Sequence, residues 1–141
     1  MAIIGNFRDP VVTINGVDLS DHISEVTIET SRAENDITAF GAVNRVVVAG
    51  LGDATITMTA YQDFAAAEID ATLWPLSSSD TPFTVAVKPT SAAISATNPE
   101  YQMSSLLFEY SPISGSVGEP LTSPLTFRNA SQSGLIRDVT P

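Results

Sequence analysis

The sequence predicts a mainly β protein, a β-sandwich or barrel with one flanking α-helix. Three observations lead to this prediction. Apolar residues alternate with Thr, Ser and acids over most of the chain, most cleanly from Asp53 to Gln62, which is typical of half-buried strands. Asn15-Gly16 is a strong tight-turn signal between two short apolar runs. A run of good helix formers occurs in one place, around Ala65. At 141 residues, the chain is expected to form a single domain, 1–141.

The alternating segments predict seven to nine strands in chain order, with Gly52-Asp53 as a turn between two of them. The predicted strands are Val11–Ile14, Val17–Leu19, Glu25–Thr30, Arg45–Leu51, Asp53–Gln62, Phe83–Pro89, Tyr101–Ser111, Leu125–Arg128 and Leu135–Val139.

The predicted helix covers about residues 64–74. Asp63 is suited to cap its N-terminus, and Pro75 biases Trp74 away from helical geometry, so the helix is expected to end there. A helix of about eleven residues is marginal alone and must dock on the sheet. The side chains expected to pack it there are Phe64, Ile69, Leu73 and Trp74.

Residues 31–45 are predicted to form a long polar loop with no clean period. The loop nevertheless carries Ile37, Phe40 and Val43. A connection of this length without its own secondary structure is uncommon in a compact domain. Two interpretations remain open: the loop becomes ordered against a neighbouring subunit, or it folds back onto its own domain.

Composition and charge argue against catalysis and against tight binding of nucleic acid. The chain has no cysteine, and its 6 Lys+Arg against 16 Asp+Glu give a net charge of −10. Gripping DNA needs clustered cations. The one histidine, His22, has no nucleophile or orienting group at a recognisable spacing, so we expect a structural role for it. No enzyme activity, cofactor or metal site is predicted.

Four stretches of the chain resemble the small major tail proteins of long-tailed bacteriophages, especially those of actinobacteria. The stretches are Ile14–Thr30 (INGVDLSDHISEVTIET), Asp36–Gly41 (DITAFG), Gln62–Leu76 (QDFAAAEIDATLWPL) and Ala96–Tyr101 (ATNPEY). The resemblance implies a tail-tube-like fold and a structural subunit of the virion tail, assembled in the host cytoplasm. Hexameric rings would stack into a tube that conducts DNA during ejection. Residues 1–10 and the loop 31–45 would then make contacts between subunits, with Ile37, Phe40 and Val43 in the contact between rings.

The implied partners are other copies of the chain and other tail proteins such as the tape measure, terminator and tip. Passing DNA would meet the wall only by non-specific repulsion, and no membrane is expected. Two predicted strands have a polar face without Lys or Arg, which suits such a wall. The candidate lumen residues are Glu25, Thr27 and Glu29 on one strand and Thr55, Thr57 and Thr59 on the other. The alternatives are a capsid decoration or head–tail joining protein, and a cellular β-sandwich binding module.

Overall fold

The computed structural model describes residues 5–141, and its architecture is one antiparallel sheet with a single α-helix. The predicted mainly β fold class is confirmed. The strands are β1 (Val11–Ile14), β2 (Val17–Asp18), β3 (Ile23–Asp36), β4 (Val47–Tyr61), β5 (Phe83–Lys88), β6 (Glu100–Tyr110), β7 (Thr122–Asn129) and β8 (Leu135–Asp138). The helix α1 spans Ile69–Leu76, and a short 3-10 turn, Ser20–His22, joins β2 to β3.

The strand order is β2-β1-β5-β6-β7-β4-β3, so β2 and β3 are the two edges of the sheet. The strand β8 pairs with the first part of β6, and β7 pairs with the second part. The strands β8 and β7 therefore lie end to end along the same side of β6. Six inter-strand spacings in a flat sheet would separate the edges by about 29 Å. The chain from Asp18 to Ile23 spans at most about 18 Å when fully extended. The sheet must therefore curl until its edges approach each other, which produces the barrel-like shape.

The inner face of this curled sheet forms one hydrophobic core. Alternate side chains of β1, β4, β5, β6 and β7 contribute to it, and the rings of Phe83 and Phe127 pack edge to face with their centroids 5.9 Å apart. Val26 and Ile28 of β3 pack against the margin of the core and are only partly buried. The fully buried side chains of largest volume are Phe127, Ile14, Leu19, Ile56, Met58, Ile69, Leu73, Met103 and Leu125.

The helix is shorter than predicted and begins five residues later. Asp63 accepts a hydrogen bond from the Ala65 backbone at 2.9 Å, as expected of a cap, but the segment that follows is a turn. Ala67 has a left-handed φ of 64°, which a continuing right-handed helix does not allow. The predicted end at Trp74 is also wrong, because the helix continues through Pro75 to Leu76, whose side chain is buried.

The later start changes which side chains pack α1 onto the sheet. Ile69, Leu73 and Leu76 lie one helical turn apart and are buried in the core. Phe64 precedes the helix, and Trp74 is rotated by about 100° from Leu73. Phe64 and Trp74 are 58% and 62% exposed, so their predicted packing on the sheet is wrong.

The predicted loop 31–45 is mostly a β-hairpin. Ser31–Asp36 belong to β3 and pair with Val47–Asp53 of β4, so only residues 37–46 form a connection. The predicted turn at Gly52-Asp53 is likewise wrong, because β4 runs through it without a break. Between Arg32 and Glu34 the register shifts by one residue, because Gly50 and Leu51 of β4 lie opposite the single residue Ala33. A Cβ at Gly50 would lie 2.8 Å from Asn35 Nδ2 and 3.0 Å from the Ala33 Cβ, so glycine avoids a close contact at this bulge.

Candidate functional site

The two polar strands predicted from the sequence are direct neighbours in the sheet. Glu25 lies opposite Thr59, Thr27 opposite Thr57, and Glu29 opposite Thr55. All six side chains point away from the core, because the residues between them on β4, such as Ile56 and Met58, are buried. We call these six residues the outer face. The structure thus joins two separate sequence patterns into one continuous polar surface.

The outer face continues onto β7, and there it differs from the expectation that it carries no cations. Pro124, Thr126 and Arg128 lie opposite Thr59, Thr57 and Thr55 on the next strand. Arg128 is exposed, so a guanidinium group stands two strands away from Glu29. No pattern within a single strand indicates that Arg128 belongs to this surface; only the strand order places it opposite Thr55.

The second candidate surface is a two-stranded arm, which we define as residues 31–53. From Val47 to Ala54, β4 has only β3 as a neighbour within residues 5–141, so the arm extends beyond the body of the sheet. About eight strand residues correspond to a length of about 26 Å. The solvent accessibilities of Phe40 and Val43 at the tip, relative to a fully exposed reference residue, are 109% and 94%, and that of Ile37 is 55%. They lie outside the core, so the interpretation that they fold back onto their own domain is wrong.

Polar contacts organise the tip of the arm. Arg45 forms ion pairs with Glu34 at 2.7 Å and with Asp36 at 3.2 Å. The Ile37 backbone donates to the Val46 carbonyl at 3.0 Å, and the Val46 amide donates to the Thr38 hydroxyl at 2.8 Å. Hydrogen bonds from the Thr38 side chain and from its backbone amide, at 2.9 Å, lower the pKa of Asp36. These bonds hold the tip in a defined shape while its apolar side chains remain in solvent.

A cluster of charged and titratable groups surrounds His22, at the end of the 3-10 turn. Its Nε2 lies 2.9 Å from Asp63, and its Nδ1 lies 2.8 Å from Asp21 and 3.4 Å from Glu68. The pKa of His22 is raised, mainly by the hydrogen bond to Asp63; burial opposes this shift and the charges of Asp21 and Glu68 support it. The pKa of Asp63 is lowered by the Ala65 amide and by His22.

Asp21 is the sequence neighbour of His22, whereas Asp63 is 41 positions away. The contact with Asp63 follows from the antiparallel pairing of β3 with β4, in which Ile23 lies opposite Ala60, and not from local spacing. Ligand-type atoms of Asp21, His22 and Glu68 lie within 4.8 Å of one another. Both ring nitrogens are already engaged in hydrogen bonds, so we assign no metal ion to this cluster.

A groove follows the gap between the two edges of the sheet. It is bounded by Val11 of β1 and Asp18 of β2 on one side and by Ile23–Val26 of β3 on the other. Residues 7–10 of the N-terminal segment also line it, and residues 1–4 lie outside the described part of the chain. The outward edge of β3 has no strand partner in the described structure. No helix among the described residues is long and apolar enough to cross a membrane.

Chains from phage-like particles have a similar fold. A chain from the virion of a native gene transfer agent (GTA) particle is similar, with a TM-score of 0.74 at 12% identity over 98% of this chain and 100% of that one. A chain from the tail of an empty GTA particle, refined with C6 symmetry, has a TM-score of 0.71 at 14% identity over 99% and 100%.

A chain from the baseplate of the anti-feeding prophage is also similar, with a TM-score of 0.59 at 12% identity over the full length of both chains. No family model and no curated protein matches the sequence. At these identities the comparisons establish the fold, and they do not single out the actinobacteriophage type.

Proposed function

We propose that this chain is a structural subunit of a phage-type tail tube, in which six copies form a ring and the rings stack. The main support is that the GTA neighbours match over 98% and 99% of this chain and 100% of their own chains. The C6 symmetry of the GTA tail motivates the number six. Such rings need heterologous contacts, which close in the plane of the ring and repeat along the axis.

The arm supports stacking, because it is an isolated hairpin with exposed apolar side chains that a partner could bury. A two-stranded hairpin alone is marginal in water. This one also exposes Phe40, Val43 and Leu51, which are each at least 90% exposed. Several large apolar side chains exposed on one projecting segment favour an interaction site. In the proposed assembly the arm reaches the next ring and buries these side chains there, with Ile37 beside them.

The outer face supports a role as the wall of the lumen. It presents two carboxylates and four threonines in a continuous array, and with a net charge of −10 per chain six copies would carry about −60 per ring. Repulsion would keep DNA from adhering to such a wall. Arg128 lies at the margin of this surface and offsets part of its charge. Passing DNA would then be a non-specific partner, and ejection would be driven from elsewhere.

The proposed location is the tail of a virion assembled in the host cytoplasm, and the tape measure, terminator and tip proteins are the other proposed partners. The baseplate neighbour favours a second candidate, a ring at one end of the tail. We propose no membrane partner, cofactor or enzymatic role.

Electron microscopy tests the assignment. Negative staining of the concentrated protein should show rings or tubes, and antibody labelling of particles should decorate the tail along its length. Labelling confined to one end would support the second candidate. Monomers at every concentration and salt, together with unlabelled tails, would refute both. Labelling of the shell or neck would instead support the decoration or joining alternatives.

A further inference from the structure

The 3-10 turn Ser20–His22 joins the two edges of the sheet, and it is tied to the rest of the chain on two sides. On one side, the Val12 amide of β1 donates to the Ser20 hydroxyl at 2.8 Å, and Ser20 also bonds to Asp18. On the other side, the His22 ring reaches Asp63 and Glu68 in the segment that leads from β4 to α1. The position of this turn therefore depends on the His22 contacts.

The geometry of the ring determines its protonation state. Nδ1 faces a carboxylate at 2.8 Å and Nε2 faces another at 2.9 Å. A carboxylate only accepts hydrogen bonds, and a neutral imidazole has a single N–H to donate. A neutral His22 would therefore leave one nitrogen lone pair directed at a negatively charged oxygen. Only the doubly protonated ring satisfies both contacts. The side chains of His22 and Asp63 are 15% and 36% exposed, whereas Asp21 is 81% exposed, so water replaces the Asp63 contact less readily than the Asp21 contact.

We propose that His22 is a proton-operated clamp, which holds the 3-10 turn against residues 63–68 while the ring is charged and releases it when the ring loses its proton. The titratable groups that face the ring are Asp21 from the turn itself and Asp63 and Glu68 from the opposing segment. All three are acidic, so each contributes in the same direction. Release would loosen the junction between β2 and β3, where the groove between the edges begins. The clamp belongs to the single chain and does not depend on the proposed function.

The sign of the pH dependence follows from the raised pKa of His22, whose first cause is the Asp63 hydrogen bond. Proton binding is stronger in the folded chain than in the unfolded one, so the stabilisation is fully present below the ordinary value of 6.5. It is lost as the pH rises through the raised value. The clamp is thus closed in mildly acidic solution and opens as the pH rises through the raised pKa of His22.

His22 is the only histidine, so NMR can follow its ring proton without ambiguity in the full-length chain. The wild-type titration midpoint should lie above 6.5. Asp63→Asn should lower the midpoint most, and Asp21→Asn and Glu68→Gln should lower it less. Each downward shift of one unit would mean about tenfold weaker proton binding. The amide side chain of the Asp63→Asn variant keeps an oxygen for the Ala65 amide, so this variant should still fold. Measurements with and without EDTA exclude a contaminating metal.

Melting temperature at pH 6 and at pH 8.5 provides the second measurement. The wild type should lose more stability than His22→Gln over this interval, because the glutamine variant has no proton to lose there. Amide exchange, corrected for intrinsic pH dependence, should show protection of the His22 amide falling together with the ring titration; this amide bonds to the Leu19 carbonyl at 3.0 Å. A wild-type midpoint at or below 6.5, or equal pH dependence of wild type and His22→Gln, would overturn the proposal.

Discussion

Removing the apolar tip of the arm should separate folding from assembly. We consider the double variant Phe40→Ala with Val43→Ala. These side chains are almost fully exposed in the single chain and lie outside its core. Exposed substitutions of this kind change the free energy of unfolding by at most about 0.5 kcal/mol. The melting temperature of the free subunit should therefore remain close to that of the wild type.

The effect on stacking should be much larger. Burying a Phe or Val side chain contributes about 1.5–3 kcal/mol, so each arm would lose about 3–6 kcal/mol of contact energy. The lower figure alone weakens association about 100-fold at each arm, since about 1.4 kcal/mol is a factor of ten. In the proposed ring every subunit would carry one arm, so the loss would be repeated around the ring. Tube growth should stop under conditions in which the wild type forms tubes.

A control variant with the same residue types tests whether the arm itself is responsible. Phe64 and Val117 are 58% and 105% exposed, and both lie outside the arm. Phe64→Ala with Val117→Ala should leave stacking closer to the wild type. Sedimentation velocity measures assembly, negative staining measures tube length, and calorimetry measures stability. Normal tubes from the arm variant, equal loss from the control, or melting of the arm variant far below the wild type would each refute the reasoning.

Three further changes test other parts of the structure. Glu25→Lys with Glu29→Lys should leave rings intact but slow DNA ejection, most strongly at low salt where screening is weak. The matched pair Glu25→Gln with Glu29→Gln should have a smaller effect. If the Lys variant ejects DNA at the wild-type rate, these carboxylates lie off the DNA path. Leu73→Ala should reduce the free energy of unfolding by about 2–5 kcal/mol in chemical denaturation, because this fully buried side chain fixes α1 to the sheet. In Gly50→Ala the added Cβ would meet Ala33, so this variant should disturb the arm with little change in the melting of the body. Amide exchange that becomes faster only in the arm would show this.

Local patterns were reliable where neighbouring residues face different environments. The alternation of Glu25, Thr27 and Glu29 with Val26 and Ile28 predicted correctly which side chains point outward. The same approach failed for the helix, where three alanines in a row suggested an early start. Helix propensity differs by well under 1 kcal/mol between most residues. Asp63 does not cap α1, and the turn that follows it, with the left-handed Ala67, delays the start of the helix to Ile69.

The arm shows why residues 31–36 were not recognised as a strand. Strands are read from alternating burial, and neither face of Ser31–Asp36 is buried in the single chain. Both faces of a hairpin in solvent tolerate polar residues, so the pattern resembles a loop. The apolar residues near the tip remained as the only signal. Their presence in an otherwise polar stretch distinguished this segment from an ordinary surface loop, but it did not indicate the hairpin.

The strand order links the three features of this chain that local sequence could not connect. Because β3 is an edge strand, it can at once form half of the outer face, extend into the arm and begin at the His22 turn. The arm is therefore continuous in backbone with the strand that carries Glu25 and Glu29. His22 lies directly before that strand, so its proton affects the end of β3 opposite the arm. In a tube built from this chain, stacking, the lumen wall and the proton clamp would all act on one continuous piece of backbone.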